Sequence, residues 1–180
     1  MKCYLCSKKA SIKQQKNRYI CNKCFSWLFE KRIRKQTRLD KSFKPRDRIL
    51  AIGQIANYLA KSITKNMNVK IFQKNKIDPN FIKKNKINKI VIEWTLDDEL
   101  NQYIKKIFEK KKEAKEDKKY IKILKSVTDD EALLFSKINK LKFKPNRKDK
   151  KIQEFLNNIQ DRFPNAKFNL LKNINELRKL

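Results

Sequence analysis

Apolar residues recur along this chain in two rhythms, and the change between them falls near residue 45. Phe25, Leu28, Phe29 and Ile33 return at helical spacing through about Arg38, which predicts one helix with a single apolar stripe. Its other face carries Lys31, Arg32, Arg34, Lys35 and Arg38, and Pro45 stands in the linker beyond. From Arg48 short apolar runs alternate with amphipathic stretches, as in β-α-β units around a mainly parallel sheet. The predicted strands are RILAI at 48–52, VKIF at 69–72, IVIEW at 90–94 and YIKIL at 120–124. Ile55, Ala56, Leu59, Ala60 and Ile63 mark the helix after the first strand, and Leu100, Tyr103, Ile104, Ile107 and Phe108 the helix after the third. Thr95 and Thr128 read as N-caps, the latter with Glu131 in a capping box. Three later helices follow from the stripes Leu133/Leu134/Ile138/Leu141, Ile152/Phe155/Leu156/Ile159 and Phe168/Leu171/Ile174, with Pro164 between the last two. The segment KKKEAKEDKK at 110–119 lacks large apolar residues and reads as a solvated helix end or a loop. The expected organisation is an α/β protein with a small N-terminal module, 1–40, ahead of an α/β domain with C-terminal helices, 41–180.

Cysteine usage adds chemistry to the N-terminal module. Cys3-x-x-Cys6 and Cys21-x-x-Cys24 are two thiolate pairs, and two such knuckles converge into the tetrahedral four-cysteine shell that zinc prefers. A closed shell leaves no position for a substrate water, so the metal is expected to be structural, with an iron–sulfur centre as the other centre four thiolates can hold. The lysines at 8, 9, 13 and 16 leave open whether this ribbon touches RNA or only braces the helix. Histidine is absent from the sequence, which excludes histidine-based acid–base catalysis and ligation. No apolar run is long enough for a signal peptide or a membrane span, so a cytosolic protein with reduced thiols is expected.

Charge then points to the partner. With 48 Lys+Arg against 19 Asp+Glu the formal net charge is +29, and such a chain repels itself unless a polyanion neutralises it. Over-use of Lys, Asn and Ile accounts for part of this, as an AT-rich genome would produce. Lys31, Arg32, Arg34, Lys35 and Arg38 are the first candidates for phosphate contacts. Trp27, Phe25 and Phe29 have the chemistry to stack bases, but on a helix behind the ribbon they read first as closing the hydrophobic seam.

The stretch CNKCFSWLFEKRIRKQTRLDKSFKPRDRILAI resembles the start of the tRNA 2-thiouridine synthetases of the ATP-pyrophosphatase superfamily, where two N-terminal Cys/His pairs precede a basic helix and the strand leading to the phosphate loop. NKIVIEWTLDDELNQYIKKIF is similar to that family's strand and GHNLDDE-type motif, keeping Leu96, Asp97, Asp98 and Glu99 but carrying Glu93, Trp94 and Thr95 for Gly-His-Asn. TDDEALLFSKINKLKF and FLNNIQDRFPNAKFNLLKNI resemble its C-terminal helices. The resemblance implies a reduced adenine nucleotide alpha hydrolase-like sheet.

Departures from the family pattern shape the functional expectation. Where active members carry Ser-Gly-Gly-x-Asp-Ser, whose small residues let backbone N–H groups wrap a phosphate, this chain has Gly53-Gln54-Ile55-Ala56-Asn57-Tyr58. Ile55 and Tyr58 are expected to put bulk where a pyrophosphate would sit. No cysteine follows Cys24, so the internal cluster or sulfur-relay cysteines of active relatives, and their C-terminal zinc finger, have no counterpart. Gly53, Trp94, Asp97 and Asp98 therefore read as a vestigial active-site region, with Trp94 either meeting a partner or filling the vacated nucleotide pocket. Asp97, Asp98 and Glu99 also read as first-turn carboxylates favoured by a helix dipole. The resulting expectation is a protein that is not itself an enzyme: a non-catalytic tRNA-binding scaffold in wobble-uridine 2-thiolation, similar to the degenerate partner of the eukaryotic pair. Its implied partners are tRNA, a catalytic paralogue and a ubiquitin-like sulfur carrier. The alternative is a stand-alone zinc-ribbon RNA-binding protein. Phe143, Phe163, Phe168 and Leu171 are the candidates for an interface with the paralogue.

Overall fold

In the computed structural model, which describes residues 1–14, 18–110 and 117–178, a small antiparallel ribbon leads through one long helix into a four-stranded sheet. Lys16 and residues 111–116 of the lysine-rich segment lie outside the described residues. The ribbon pairs β1 (Ile12–Lys13) with β2 (Tyr19–Ile20), and α1 (Asn22–Leu39) follows at once. Phe25, Phe29, Ile33 and Thr37 are buried along α1 at every fourth position, the stripe that packs a helix on a core.

After α1 the chain alternates between strands and helices. In order come β3 (Arg48–Ile52), α2 (Gln54–Ile63), β4 (Lys70–Lys74), α3 (Pro79–Lys84), β5 (Lys89–Thr95), α4 (Leu96–Phe108), β6 (Tyr120–Leu124), α5 (Asp129–Ile138), α6 (Lys150–Arg162) and α7 (Ala166–Leu177). The strands lie in the order β4-β3-β5-β6, every pairing parallel. A central parallel strand is covered on both faces, and β3 accordingly buries Ile49, Leu50 and Ala51 in succession. Ile49 and Ala51 enter the core that α1, α2 and α5 share, whereas Leu50 enters a separate cluster with Ile87 and Ile90 on the opposite face. Pairing with β3 places β4 at Lys70–Lys74 rather than 69–72, because register runs from Arg48 opposite Lys70 to Ile52 opposite Lys74.

Two elements escape hydrophobic periodicity because they are too short to show one: the β1–β2 ribbon and six-residue α3, which Asp78 caps through the Phe81 amide. Leu141 lies beyond the end of α5 and packs on the main core from the following loop. Phe29 of α1 stacks on Phe135 of α5 with ring centroids 4.1 Å apart, so the apolar side of segment 1–40 is continuous with the core of 41–180. A third cluster, Leu96, Leu100, Ile152, Leu156 and Ile174, joins α4 to α6 and α7. Each such side chain contributes roughly 1.5–3 kcal/mol by leaving water. No helix among the described residues is long and apolar enough to cross a membrane.

This topology fixes where a site belongs. The chain leaves β3 toward β4 on one side and later runs from β5 to β6 on the other, so the carboxyl ends of β3 and β5 frame a switch-point crevice. Gly53 closes β3, and Glu93, Trp94 and Thr95 close β5.

Candidate functional site

The four cysteines converge as their spacing requires. Cys3 and Cys6 lie on the turn before the ribbon and Cys21 and Cys24 at the start of α1, and all four Sγ atoms lie within 4.8 Å of one another. Cys6 and Cys21 place their sulfurs 3.6 Å apart. The four crowded thiols do not ionise alike: desolvation notwithstanding, backbone N–H groups bring Cys3 down to about 6 and also lower Cys21, whereas contact with Cys6, together with desolvation, pushes the Cys24 thiol up to about 12. A cation among the sulfurs removes the repulsion between thiolates, and these residues fit a bound metal.

At the switch point a carboxylate occupies the position that a phosphate takes in nucleotide-binding folds. Glu93 Oε1 accepts hydrogen bonds from the backbone N–H groups of Ile55, at 2.7 Å, and Ala56, at 3.1 Å, both in the first turn of α2. Gly53, the single glycine of the chain, has φ +100°, and a Cβ there would come within 2.3 Å of the Glu93 carboxyl carbon. The glycine is thus needed for its conformation, and a side chain there would push the Glu93 carboxylate off its two amides. Burial raises the Glu93 pKa, only partly offset by the two amide hydrogen bonds.

This corrects two details of the sequence reading. Ile55 is fully buried in the core and Tyr58 turns its hydroxyl to Glu30, so neither supplies the bulk expected over the cradle. Trp94 does not fill the cradle either, its ring being turned toward α4 and β6. Its indole N–H donates to Glu99 at 2.8 Å, and Lys122 lies over its ring. Glu93 gave little sequence signal beyond its place beside the motif.

The acidic triplet that opens α4 is buried, with Asp97 at 1%, Asp98 at 4% and Glu99 at 3% exposure. Asp98 forms a capping box with Thr95, and each acid meets a cation from elsewhere in the chain. Asp97 pairs with Lys167 of α7 at 2.6 Å and also accepts the Asp129 amide. Asp98 pairs with Lys148 at 2.6 Å, and Lys148 also reaches Asp129 at 2.7 Å. Glu99 meets Lys122 at 2.8 Å and Arg178 at 2.9 Å. Burial would raise the Glu99 pKa, yet Lys122 and Arg178 outweigh it and hold the carboxyl below its ordinary value. For Asp129 burial prevails over Lys148 and Thr95, and the pKa is raised. The strap between α5 and α6 crosses this edge: the Lys142 amide donates to Gln54, and Asn146 donates to the Glu93 carbonyl and to Asp98.

The basic helix residues divide by face. Lys31, Arg34, Lys35 and Arg38 line a groove together with Trp27 and Lys41. Arg34 is tied there to Glu30 and to Ser62. Arg32 lies off this groove, its Nη1 shared between the two carboxylate oxygens of Glu131 at 2.8 and 2.9 Å. Trp27 is 54% exposed and so does not close the seam, unlike Phe25 and Phe29, which do.

No protein-family model matches this chain, and none of the curated proteins matches it in sequence. Taken together, the parallel sheet and its flanking helices make up a fold that a solved tRNA thiolase also has. Among solved structures the chain is similar to the U34-tRNA thiolase NcsA from Methanococcus maripaludis with its 4Fe-4S cluster, at a TM-score of 0.74 and 17% identity over 98% of this chain and 87% of that one. That likeness overturns the expectation that the chain is not an enzyme. The fold, nearly end to end, is also that of a thiolase, and the absence of a Ser-Gly-Gly-x-Asp-Ser loop and of cysteines after Cys24 does not by itself show this chain to be non-catalytic.

Proposed function

We propose that this protein acts in tRNA wobble-uridine 2-thiolation and binds the tRNA through α1 and the adjoining ribbon. The observation that carries the reading is the likeness to a tRNA thiolase across 98% of the chain, in a protein whose net charge of +29 suits a polyanion. Lys31, Arg34, Lys35 and Arg38 supply phosphate contacts along one face of α1, with Arg32 on the neighbouring face, where Glu131 already takes part of its charge. Gly53, Trp94, Asp97 and Asp98 belong to the switch-point edge that corresponds to the active-site region of the resembled family.

In this reading the four cysteines hold one structural zinc. Zinc–sulfur bonds of about 2.3 Å place tetrahedral ligands about 3.8 Å apart, which suits sulfurs that all lie within 4.8 Å of one another. A four-iron cluster attaches each thiolate to a different iron and spreads them wider. The protein works in the cytosol beside a thiolation paralogue carrying the Ser-Gly-Gly-x-Asp-Ser loop and a ubiquitin-like sulfur carrier. Of the four interface candidates Phe163, 65% exposed at the end of α6, is the freest to meet the paralogue, while Phe143, Phe168 and Leu171 are partly buried against their own cores.

The test is a thiolation reaction with purified tRNA, ATP and a sulfur donor, read by mercury-affinity gel retardation of thiolated tRNA. Retarded tRNA that depends on this chain, alone or with the paralogue, supports the reading. Equal thiolation with and without it, together with no tRNA binding, overturns it. The basic groove also favours a second reading, a stand-alone RNA-binding protein, which predicts RNA binding with no effect on thiolation.

A further inference from the structure

Trp27 is an aromatic that packing does not explain. The buried face of α1 is complete without it, since Phe25, Phe29, Ile33 and Thr37 already fill the core. Trp27 instead stands 54% exposed at one end of a groove of about 980 Å³ between α1, the following loop and the end of α2. Phe43, Ile63 and Met67 form an apolar floor. Lys31, Lys35, Arg38 and Lys41 form the rim, and the Lys31 ammonium lies 4.6 Å from the centroid of the Trp27 ring.

The spacing along α1 makes this a single track. Positions 27, 31, 35 and 38 follow one helical face, and with a rise of 1.5 Å per residue they extend over about 16 Å, the reach of a few nucleotides. Glu30 is the carboxylate on the lining, and it is already engaged by Tyr58 at 2.9 Å, Ser62 at 3.3 Å and Arg34 at 3.3 Å. The rim therefore presents cations to whatever enters, and the floor and Trp27 present apolar and aromatic surface.

A duplex offers such a groove phosphates alone, because its base faces are stacked on one another. An unpaired strand offers phosphates and bare base faces together. We propose that this groove holds an unpaired RNA segment, with one base stacked on Trp27 and the flanking phosphates on Lys31, Lys35, Arg38 and Lys41. The inference deepens the tRNA-binding reading and rests on it for the identity of the RNA.

The test measures binding of a short single-stranded RNA, of tRNA and of duplex RNA by fluorescence anisotropy across a salt series. Trp27→Ala should weaken the single strand and tRNA by about 5- to 150-fold, the range for losing one stacked base, while the salt slope stays unchanged because no counterion release is lost. Trp27→Phe should recover most of the affinity, and Lys35→Ala with Arg38→Ala should flatten the single-strand slope by up to about 1.4 units. Unchanged single-strand and tRNA binding by Trp27→Ala, an equal loss on duplex, or capture of an acidic protein in place of RNA overturns the proposal. Failure of the native chain to bind tRNA, with single-strand binding still dependent on Trp27, would instead sink the tRNA reading and leave the groove assignment standing.

Discussion

Removing the Glu93 carboxylate should show that α2 is built around an anion. In Glu93→Ala the amides of Ile55 and Ala56 lose an acceptor held at 2.7 and 3.1 Å. A hydrogen bond to a charged group is worth about 1.5–3 kcal/mol and unsatisfied buried donors cost a similar amount each, but the variant also escapes the desolvation that raises the Glu93 pKa. The balance is a net loss of about 1–3 kcal/mol, or roughly 3–10 °C in melting temperature for a chain of this size. The vacated cradle should then accept inorganic phosphate. At ten times its dissociation constant the ligand would return about 1.4 kcal/mol to the variant, whereas native protein, its cradle filled, should show only the general salting effect. Differential scanning calorimetry with phosphate and chloride at matched ionic strength measures both. Equal phosphate responses in native and variant protein would refute the reasoning.

The same residue gives a pH signature. A carboxyl whose pKa is raised on folding binds its proton more tightly in the native state, so its contribution is fully present below the ordinary value of 4.5 and is lost as pH rises through the folded pKa. Glu93→Gln keeps an oxygen for the two amides and cannot ionise. Native protein should therefore lose stability relative to Glu93→Gln as pH rises above about 4.5, and parallel stability curves would count against the buried carboxylate.

Other outcomes follow from the same contacts. Lys167→Ala should destabilise by about 3–5 kcal/mol, because it strands a buried Asp97 carboxylate, and urea denaturation at neutral pH would register it; a loss under 1 kcal/mol would deny the pair. Arg32→Ala should cost at most about 1 kcal/mol, since its pair with Glu131 is partly exposed. Chelation of metal, or Cys24→Ser, should loosen the ribbon and weaken α1 on the core it shares with α5, lowering the melting temperature of the whole chain. Elemental analysis finding one zinc per chain agrees with a mononuclear centre, and iron with acid-labile sulfide refutes it.

Much of the fold was legible because its signals are local. β3 and β6 begin and end where the apolar runs do, Thr95 and Thr128 both cap their helices, and Thr128 forms its capping box with Glu131. The cysteine cluster was legible for the same reason, since two pairs of thiolates at knuckle spacing can hardly serve another geometry. Trp27 and Trp94 were read first as packing residues because helical or strand phase alone does not say which neighbouring element covers a ring. Glu93 went unread for another reason: its meaning depends on Gly53 and on two amides nearly forty residues earlier, brought beside it by parallel pairing of β3 with β5.

The acidic triplet shows why sequence alone could not assign the lysines. In a chain with 48 Lys+Arg, nothing local distinguishes Lys148 or Lys167 from the solvated majority. Their place follows from the acids: once Leu96 and Leu100 draw α4 against α6 and α7, Asp97, Asp98 and Glu99 leave water with them. Buried carboxylates need close cations, and each finds one on a different later segment: Lys167 on α7, Lys148 on the strap, Lys122 on β6 with Arg178 after α7. These ion pairs tie α7 and the strap to the start of α4 alongside the apolar cluster that α4 shares with α6 and α7. Through Asn146 the strap that follows α5 is bound to the Glu93 carbonyl and to Asp98 together. The cradle and the C-terminal third are thus held by one connected set of polar contacts, and a change at either should be felt at the other.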